Sequence, residues 1–378
     1  MKSYWRSIIK LSEQIGFTLC REVRSRLGLQ KRPIRPVNNH LIIAPLFLGD
    51  LFMLAPFIRG LRDTHPNEQI VLLCLDGLAN LGRLLPVDEV ISAKKPDLES
   101  RNKILQIIPQ GVGYCYVFFA GAWLPILTNI PISTIVSYPD PKGRWSHLID
   151  EKLQIPPTLT PLPELALRIL TKPCNNRPPI DMWSPQSQCA VLHLGARNPA
   201  RLLNVSQVID IITALDKRKF STILITGEAS EGITHDSISS NLPENINRPI
   251  DLRGKLSLDD MPEVIRTARL LICVDTGIAH LSKALGTPTL VLLGQSQSAL
   301  FGMDNLYSRS RHIAIDHLHC RTKHTLHGLK ANWVETCNYK TCPLESRPCL
   351  PDPLPMELFT QIDILINETE MSHSNAIQ

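Results

Sequence analysis

Short apolar runs alternate with polar or amphipathic stretches along most of the chain. Runs in the first half lie at 41–44, 69–75, 88–93, 115–121 and 133–138, and runs in the second half lie at 189–195, 221–227, 268–274 and 288–294. Most are rich in Val, Ile and Leu, a pattern typical of strands in a parallel sheet that is covered on both faces. Between these runs, apolar residues recur at helical spacing, for example from about Val205 to Leu215 and over 277–285. Strands that alternate with helices predict an α/β fold.

One stretch rich in proline, asparagine and serine interrupts this alternation, and it is typical of a linker. The sequence therefore predicts an N-terminal arm (1–36), a first α/β domain (37–170), a linker (171–188), a second α/β domain (189–350) and a C-terminal helix with a tail (351–378) that is frayed from about residue 368. Open α/β sheets bind ligands beyond the carboxyl ends of their strands. We expect a ligand cleft at those ends.

The apolar segment 41–58 is long enough to suggest a membrane span. Asp50 lies near its middle, where a carboxylate would cost about 2.5 to 3.5 kcal/mol on insertion, and Pro45 and Pro56 interrupt it. A buried strand, a tight loop at Leu48 and Gly49, and a helix from Leu51 fit the segment better.

The N-terminal arm is predicted to form a basic amphipathic helix. Its apolar positions recur every three or four residues and share one face: Ile8, Leu11, Ile15, Leu19, Val23 and Leu27. The first 40 residues carry nine basic and two acidic side chains, whereas the whole chain has a net charge of only +5. The helix either packs on the protein's own body or lies on an anionic membrane surface. A DNA-binding arm is the remaining alternative, but no helix-turn-helix pattern supports a nucleic-acid partner.

The chain has ten cysteines and, at its N-terminus, no apolar core of the kind that a secretory signal has. Cys74 and Cys273 lie inside apolar runs and are expected to be buried free thiols, so a reducing cytoplasm is the expected location. Four cysteines near the C-terminus form a weak candidate metal cluster: Cys320, Cys337, Cys342 and Cys349. They include no C-x2-C pair, so free thiols are expected, with a structural metal or a disulfide as alternatives.

The most informative segment is 270–294, in which a buried strand runs into the turn Asp275-Thr276-Gly277 and then a helix. Free backbone N–H groups and the helix dipole make such an N-terminus suited to a phosphate. Asp275 or Thr276 acting only as a helix cap is the simpler alternative. A purely capping role would not explain why His280 lies one turn later on the same face of the helix.

This segment resembles the nucleotide-sugar signature of glycosyltransferase family 9, the bacterial heptosyltransferase family of lipopolysaccharide core assembly. Three other segments resemble the family in order and spacing, namely Gly49-Asp50, 192–204 and 251–277, and 147–155 is a weaker match. The resemblance runs from about residue 40 to 367. It implies a GT-B fold, in which two Rossmann-like domains face each other across a cleft.

The resemblance implies a role for each matching residue. Asp50 matches the family's proposed general base, although on the residues alone it could simply cap the helix from Leu51. Gly49 beside it would leave room for a sugar on the acceptor side, where Arg197 is also placed. The predicted donor-binding residues are Arg201 for the diphosphate, Thr226, Gly227 and Glu228 (or Glu231) for the nucleoside, and Asp275, Thr276, Gly277 and His280.

One loop departs from the family pattern. After the strand at 288–294 the family usually has Gly-Pro-Thr-Asp-Pro, whereas this chain has Gly294-Gln295-Ser296-Gln297-Ser298. This loop is expected near the donor. The change leaves open which sugar and which acceptor the protein uses.

The absence of other motifs excludes several classes of enzyme. No Walker A motif and no G-x-G-x-x-G after a strand are present, and no Asp-x-Asp occurs, so neither a nicotinamide dehydrogenase nor a metal-dependent glycosyltransferase is expected. Together with these absences, the resemblance to family 9 implies an inverting, metal-independent transferase without a cofactor. It would move heptose or a related sugar from a nucleotide-diphosphate sugar such as ADP-heptose to a lipid-linked glycan at the cytoplasmic face of the inner membrane. A family member with a protein or other glycan acceptor, and an inactive nucleotide-sugar-binding protein, are the alternatives.

Overall fold

The computed structural model describes residues 19, 23–24, 26–27, 30–119, 121–139, 141–170, 178–185, 188–230, 233–302, 306–326, 328–337, 339–344 and 347–376, with side chains to residue 369. The chain divides into two units. The first comprises residues 1–47, 61–156 and 327–329, and the second comprises 48–60, 157–326 and 330–378. Most of the predicted N-terminal helix and half of the predicted linker lie outside the described residues, as do Cys20, Cys174 and Glu231.

The first unit contains a six-stranded parallel sheet. Its strands are β1 (Asn39–Ile43), β2 (Gln69–Cys74), β3 (Glu89–Ser92), β4 (Val112–Val117), β5 (Ile132–Ser137) and β6 (Glu151–Lys152). The spatial order is β3-β2-β1-β4-β5-β6, so the strand order reverses between β1 and β4. All five residues of β1 are buried. The apolar runs predicted all five of the longer strands, because a parallel strand covered on both faces needs apolar side chains on both faces.

The second unit contains another six-stranded parallel sheet. Its strands are β7 (Cys189–His193), β8 (Thr222–Thr226), β9 (Ile250–Asp251), β10 (Leu270–Val274), β11 (Thr289–Leu293) and β12 (Ser310–Ala314). The spatial order is β12-β11-β10-β7-β8-β9. This is the same topology as in the first unit, with the reversal between β7 and β10. Both units are therefore doubly wound, Rossmann-like sheets.

Helices connect the strands in both units. The described α-helices are Leu48–Met53, Ala55–Thr64, Ala79–Gly82, Leu98–Ile107, Leu124–Leu127, Leu162–Leu167, Val205–Lys217, His235–Asn241, Met261–Thr267, Gly277–Leu285, Ser298–Phe301 and Met356–Ala376. Helix Gly277–Leu285 has the predicted bounds. The C-terminal helix continues to Ala376, so the expectation of fraying from residue 368 is wrong for the backbone.

Two short features complete the fold. Four 3₁₀ turns lie at Asp76–Leu78, Gly121–Trp123, Ser146–Leu148 and Pro199–Arg201, and strands β13 (Thr325–Leu326) and β14 (Leu329–Lys330) pair with each other. Within the part of the chain that the structure describes, no helix is both long enough and apolar enough to span a bilayer.

The described residues of the arm do not bury the predicted apolar face. Leu19, Val23 and Leu27 are 64%, 55% and 65% exposed. Contacts with the first unit come from other residues of this segment: Nε of Arg24 donates to the carbonyl of Thr128 at 3.1 Å, and Arg32 forms a 2.7 Å ion pair with Asp150. These three apolar side chains are therefore free to face something other than the protein's own body.

Candidate functional site

Four adjacent strands of the second sheet end at the same edge, and three of them bring the predicted site residues there. Arg197 and Arg201 follow β7, Thr226 ends β8, and Asp275 follows β10. The order β11-β10-β7-β8 makes these ends neighbours. Because the strands are parallel, all four loops leave the sheet at its carboxyl edge, where open α/β sheets hold their ligands.

Arg201 is held in place by two neighbouring strand ends. Its Nη1 donates to the backbone carbonyl of Asp275 at 2.9 Å and lies 3.3 Å from Oδ2 of the same residue. Its Nε donates to Oε1 of Gln295 at 3.1 Å, and Asn198 donates to that same oxygen at 2.7 Å. Among the described residues, Nη2 has no hydrogen-bond partner. The guanidinium is thus fixed, with one nitrogen left for an anion.

The loop that departs from the family pattern supports this arrangement. Gln295, Ser296 and Gln297 are all buried. The Ser296 hydroxyl donates to Oδ2 of Asp275 in a short hydrogen bond. These roles of Gln295 and Ser296 were not predicted, although their loop departs visibly from the family pattern. The only sequence signal for them is that the loop follows a buried strand of the same sheet.

The N-termini of helices Leu48–Met53 and Gly277–Leu285 meet at two glycines. A Cβ on Gly277 would lie 2.9 Å from the backbone nitrogen of Gly49 and 3.0 Å from Cβ of Leu48. A Cβ on Gly49 would lie 3.2 Å from Cδ2 of His280. Each glycine thus admits the other helix, and the predicted roles of both beside a ligand stay predictions.

Asp50 lies inside the helix Leu48–Met53, in its first turn. The alternative in which Asp50 caps a helix starting at Leu51 is therefore wrong, since the helix begins two residues before it. Burial raises the pKa of Asp50 to about 6; the positive charge of Arg197 opposes this rise, the negative charge of Asp275 adds to it, and Arg201 opposes it. These interactions bring Asp50 together with three of the residues predicted from the second half of the chain.

His280 and Thr276 occupy the start of helix Gly277–Leu285. Thr276 is the N-cap residue, but its side chain makes no capping hydrogen bond. His280 is buried, and its Nδ1 has no hydrogen-bond partner among the described residues. Burial, helped by the charge of Lys283, lowers the pKa of His280 to about 3, so the ring is neutral at physiological pH. A simple capping role does not account for these two side chains.

The residues at the end of β8, which were predicted to bind the nucleoside, differ in burial and in hydrogen bonding. Thr226 is buried, and its Oγ1 lies 3.0 Å from Nδ1 of His193. Gly227 adopts a φ of 142° and accepts a backbone hydrogen bond from Gly254. Glu228 is exposed. The predicted nucleoside contacts of these residues stay predictions.

The four C-terminal cysteines line one pocket with Gln295 and Tyr339. Burial raises the pKa of the Cys349 thiol, and the neighbouring Cys342 adds to the effect. All eight cysteines that the structure describes are free thiols, so the disulfide alternative is wrong for them. Among the described side chains, the one group of three that brings metal-ligand atoms within 4.8 Å of one another is His40, His65 and Glu68, which contains no cysteine.

The sequence match to known proteins is concentrated in the second unit. Residues 161–330 match the family model described as glycosyltransferase family 9 (heptosyltransferase). The resemblance to family 9 is confirmed. The matched segment is a little under half of the chain and contains most of the strand-end residues described above.

Curated lipopolysaccharide heptosyltransferases match over short stretches only. Lipopolysaccharide heptosyltransferase 1 of Salmonella typhimurium is 34% identical over 53 residues, 14% of this chain and 17% of the relative. The Pseudomonas aeruginosa protein of the same name is 34% identical over 101 residues, 26% of each chain. These alignments thus cover about a quarter of the relatives' length or less.

Solved heptosyltransferase structures share the fold over most of the chain. The Escherichia coli ADP-heptose lipopolysaccharide heptosyltransferase II has a TM-score of 0.62 at 17% identity, covering 88% of this chain and 99% of its own. Escherichia coli heptosyltransferase WaaC with ADP has a TM-score of 0.57 at 16% identity, covering 70% of this chain and 90% of its own. At such identities the likeness concerns the fold alone, and the predicted GT-B class is confirmed.

Proposed function

We propose that this protein is an inverting glycosyltransferase that moves heptose, or a related sugar, from a nucleotide-diphosphate sugar to a glycan acceptor. The observation that carries the proposal is the position of a carboxyl group with a raised pKa, Asp50, beside the fixed cation Arg201 at the carboxyl edge of a Rossmann-like sheet. A base and an anion site next to each other are what glycosyl transfer from a diphosphate donor requires.

The donor half of the site is supported by Arg201 and the start of helix Gly277–Leu285. The unpartnered Nη2 of Arg201 would bind a phosphate oxygen, and the helix N-terminus would stabilise the negative charge that grows on the leaving diphosphate. We propose ADP-heptose as the donor, because a solved relative is named for ADP-heptose and another holds ADP. No metal ion is needed in this proposal, since cationic and dipolar groups act on the diphosphate.

The acceptor half of the site is centred on Asp50. In its ionised form this carboxylate would take the proton of an acceptor hydroxyl while the oxygen attacks the anomeric carbon and the bond to the diphosphate breaks. A carboxyl group with a pKa of about 6 is a stronger base than an ordinary aspartate and is still ionised at neutral pH. Arg197 lowers this pKa by its charge, which keeps the carboxylate ready to accept the proton.

We propose a lipid-linked glycan of the lipopolysaccharide core as the acceptor, used at the cytoplasmic face of the inner membrane. The curated relatives are named lipopolysaccharide heptosyltransferases. Exposure of Leu19, Val23 and Leu27 in a basic segment favours contact with an anionic membrane over packing on the protein's own body. The protein would then be peripheral to the membrane that carries its acceptor.

Donor binding tests the proposal most directly. Titration calorimetry with ADP-heptose, ADP-glucose, GDP-mannose and UDP-glucose should show the tightest binding for ADP-heptose. Arg201→Ala should weaken it by about 1.5–3 kcal/mol, the range for hydrogen bonds to charged groups. Arg218→Ala, which removes an arginine paired with Asp363, serves as the control and should leave donor affinity unchanged.

Turnover tests the reaction itself. Full-length protein with ADP-heptose and heptose-deficient lipopolysaccharide core should release ADP and extend the glycan with inverted configuration at the anomeric carbon. Tight donor binding without transfer to any glycan acceptor would disprove the transferase proposal. The chain would then be a nucleotide-sugar-binding protein. Preference for a UDP or GDP sugar would disprove the donor assignment only.

A further inference from the structure

A second cluster of chemically capable side chains lies in the first unit, at the amino-terminal end of β1. Nε2 of His40 lies 2.9 Å from Oε2 of Glu68, and Nδ1 of His65 lies 3.1 Å from Oε1 of the same carboxylate. The three ligand atoms all lie within 4.8 Å of one another. We propose that His40, His65 and Glu68 form a binding site for a divalent transition-metal ion such as Zn²⁺.

The spacing of the three side chains fits a small tetrahedral ion. Zn–N and Zn–O bonds of about 2.0–2.2 Å place neighbouring ligand atoms about 3.3 Å apart, close to the two distances observed here. Two imidazoles and one carboxylate are a common ligand set for zinc, with water in the fourth position. The side chains of His65 and Glu68 are 32% and 30% exposed, so an ion and its water can reach them.

The fold holds these ligands in place before any ion binds. His40 is fully buried in β1. His65 and Glu68 are the first and last residues of a turn closed by the hydrogen bond from the Glu68 N–H to the His65 carbonyl, with Pro66 second in the turn. Nη1 of Arg62 donates to the Glu68 carbonyl at 3.0 Å and so ties this turn to the preceding helix. Little conformational entropy remains to be lost when the ion binds.

Tyr116 supplies the outer partner that metal-binding histidines usually have. Its hydroxyl lies 3.2 Å from Nδ1 of His40, on the other side of the ring from Glu68. Without an ion, the hydroxyl can donate to Nδ1 while Nε2–H of His40 donates to Glu68. With an ion on Nε2, the proton moves to Nδ1 and is donated to the hydroxyl oxygen, which accepts as readily as it donates. One buried tyrosine thus serves both tautomers.

Cobalt binding separates this site from the cysteine pocket of the second unit. Co²⁺ on nitrogen and oxygen ligands shows weak visible bands, whereas thiolate ligands add strong sulfur-to-metal charge-transfer absorption in the near ultraviolet. The full-length protein, freed of metal and titrated with Co²⁺, should show one site of the nitrogen–oxygen kind. Zn²⁺ should displace the Co²⁺ and raise the melting temperature.

Two substitutions and a matched control decide the assignment. His65→Ala and Glu68→Gln, both at partly exposed positions, should each weaken Co²⁺ binding at this site by at least about tenfold and abolish its share of the Zn²⁺-induced rise in melting temperature. His235→Ala removes an exposed histidine that also lies beside a carboxylate, that of Asp236, and should change neither. A chain with no nitrogen–oxygen Co²⁺ site, or one whose site survives both substitutions, would overturn the proposal. Donor binding plays no part in this test.

Discussion

Asp50 combines a raised pKa with a position beside two arginines, and replacing it separates its chemical role from its structural one. Asn has nearly the same shape but cannot accept a proton. Asp50→Asn should therefore reduce turnover by about 10²–10⁴-fold, the usual contribution of a general base, with donor affinity unchanged. Single-turnover kinetics with saturating donor measure this directly. Turnover near that of the wild type would show that another group removes the proton.

The same substitution has a predictable effect on stability. Because burial raises the pKa of Asp50 to about 6, the folded protein disfavours its ionised form above that pH. Asn removes this cost, so the variant should unfold at an equal or higher denaturant concentration at pH 7.5. Asp236→Asn, at an exposed acidic residue in the first turn of another helix, is a suitable control for the loss of a first-turn charge.

The pH dependence of kcat/KM should report the carboxyl group of Asp50. Its ionised form is the active base, so activity should be present above about pH 6 and lost as the pH falls through that value. Arg197 lowers the pKa of Asp50 by its positive charge. Arg197→Gln should therefore move the acidic limb of the profile to higher pH. An acidic limb that stays in place in this variant would assign the titration to another group.

At the scale of elements, the contact between helices Leu48–Met53 and Gly277–Leu285 depends on Gly277. An alanine there would normally favour a helix by about 1 kcal/mol. Here its Cβ would meet backbone at 2.9 Å, and overpacking of this kind typically costs about 1–3 kcal/mol. Gly277→Ala should lower the free energy of unfolding and weaken donor binding.

Urea denaturation and donor titration check this prediction. Gly77→Ala is the matched control, because a Cβ on Gly77 meets nothing within 4 Å. If Gly277→Ala proves as stable as Gly77→Ala and binds donor normally, the two helices can move apart at no cost, and their close contact is not a requirement of the site.

Buried strands were predictable from the sequence, whereas three of the four edge strands of the two large sheets were not. Strands such as β1 and β10 are buried along their whole length, and their continuous apolar runs reveal them. The missed strands β6, β9 and β12 lie at sheet edges and have polar or alternating sequences, so their pairing partner alone makes them strands. The start of helix Leu48–Met53 was missed because Gly49 usually marks a loop, and a tertiary contact overrides that preference.

The candidate site was also predictable only in part. Topology predicted that residues after parallel strands would gather at one edge, and the resemblance to family 9 singled out Asp50, Arg201 and Asp275. Two hydrogen bonds were not predictable, since each joins side chains of different loops: the one that Gln295 accepts from Arg201 and the one that Ser296 donates to Asp275. The histidine cluster was missed for the same reason: His40 and Glu68 meet only after β1 and β2 have paired.

At the scale of the whole molecule, the exposed apolar face of the arm predicts membrane binding. Replacing Leu19, Val23 and Leu27 together by serine should abolish binding to vesicles that contain anionic lipid, because their burial in the interface supplies the apolar part of the affinity. The fold should be unaffected, since all three are exposed. Vesicle co-sedimentation measures the change, and binding of the unaltered protein should weaken as salt is raised.

Ile34→Ser provides the control for this triple replacement. Ile34 is fully exposed but lies outside the predicted apolar face, so its loss should leave vesicle binding intact. Truncation is less clean as a test, because Arg32 pairs with Asp150 and the carbonyl of Lys31 accepts a hydrogen bond from Ile132. Vesicle binding that persists in the triple variant would assign membrane contact to another surface.

The grouping of residues 48–60 with the second unit limits how such chains can recombine. A hybrid that exchanges everything after the linker between this chain and a similar one would unite a Leu48-Gly49 segment from one parent with a Gly277 helix from the other. Because these two helices are so close that one added methyl group would clash, most such hybrids should inherit a clash or a gap where the helices meet. Genes for proteins with this fold should therefore exchange both segments together, so the two segments should vary as a pair among natural sequences.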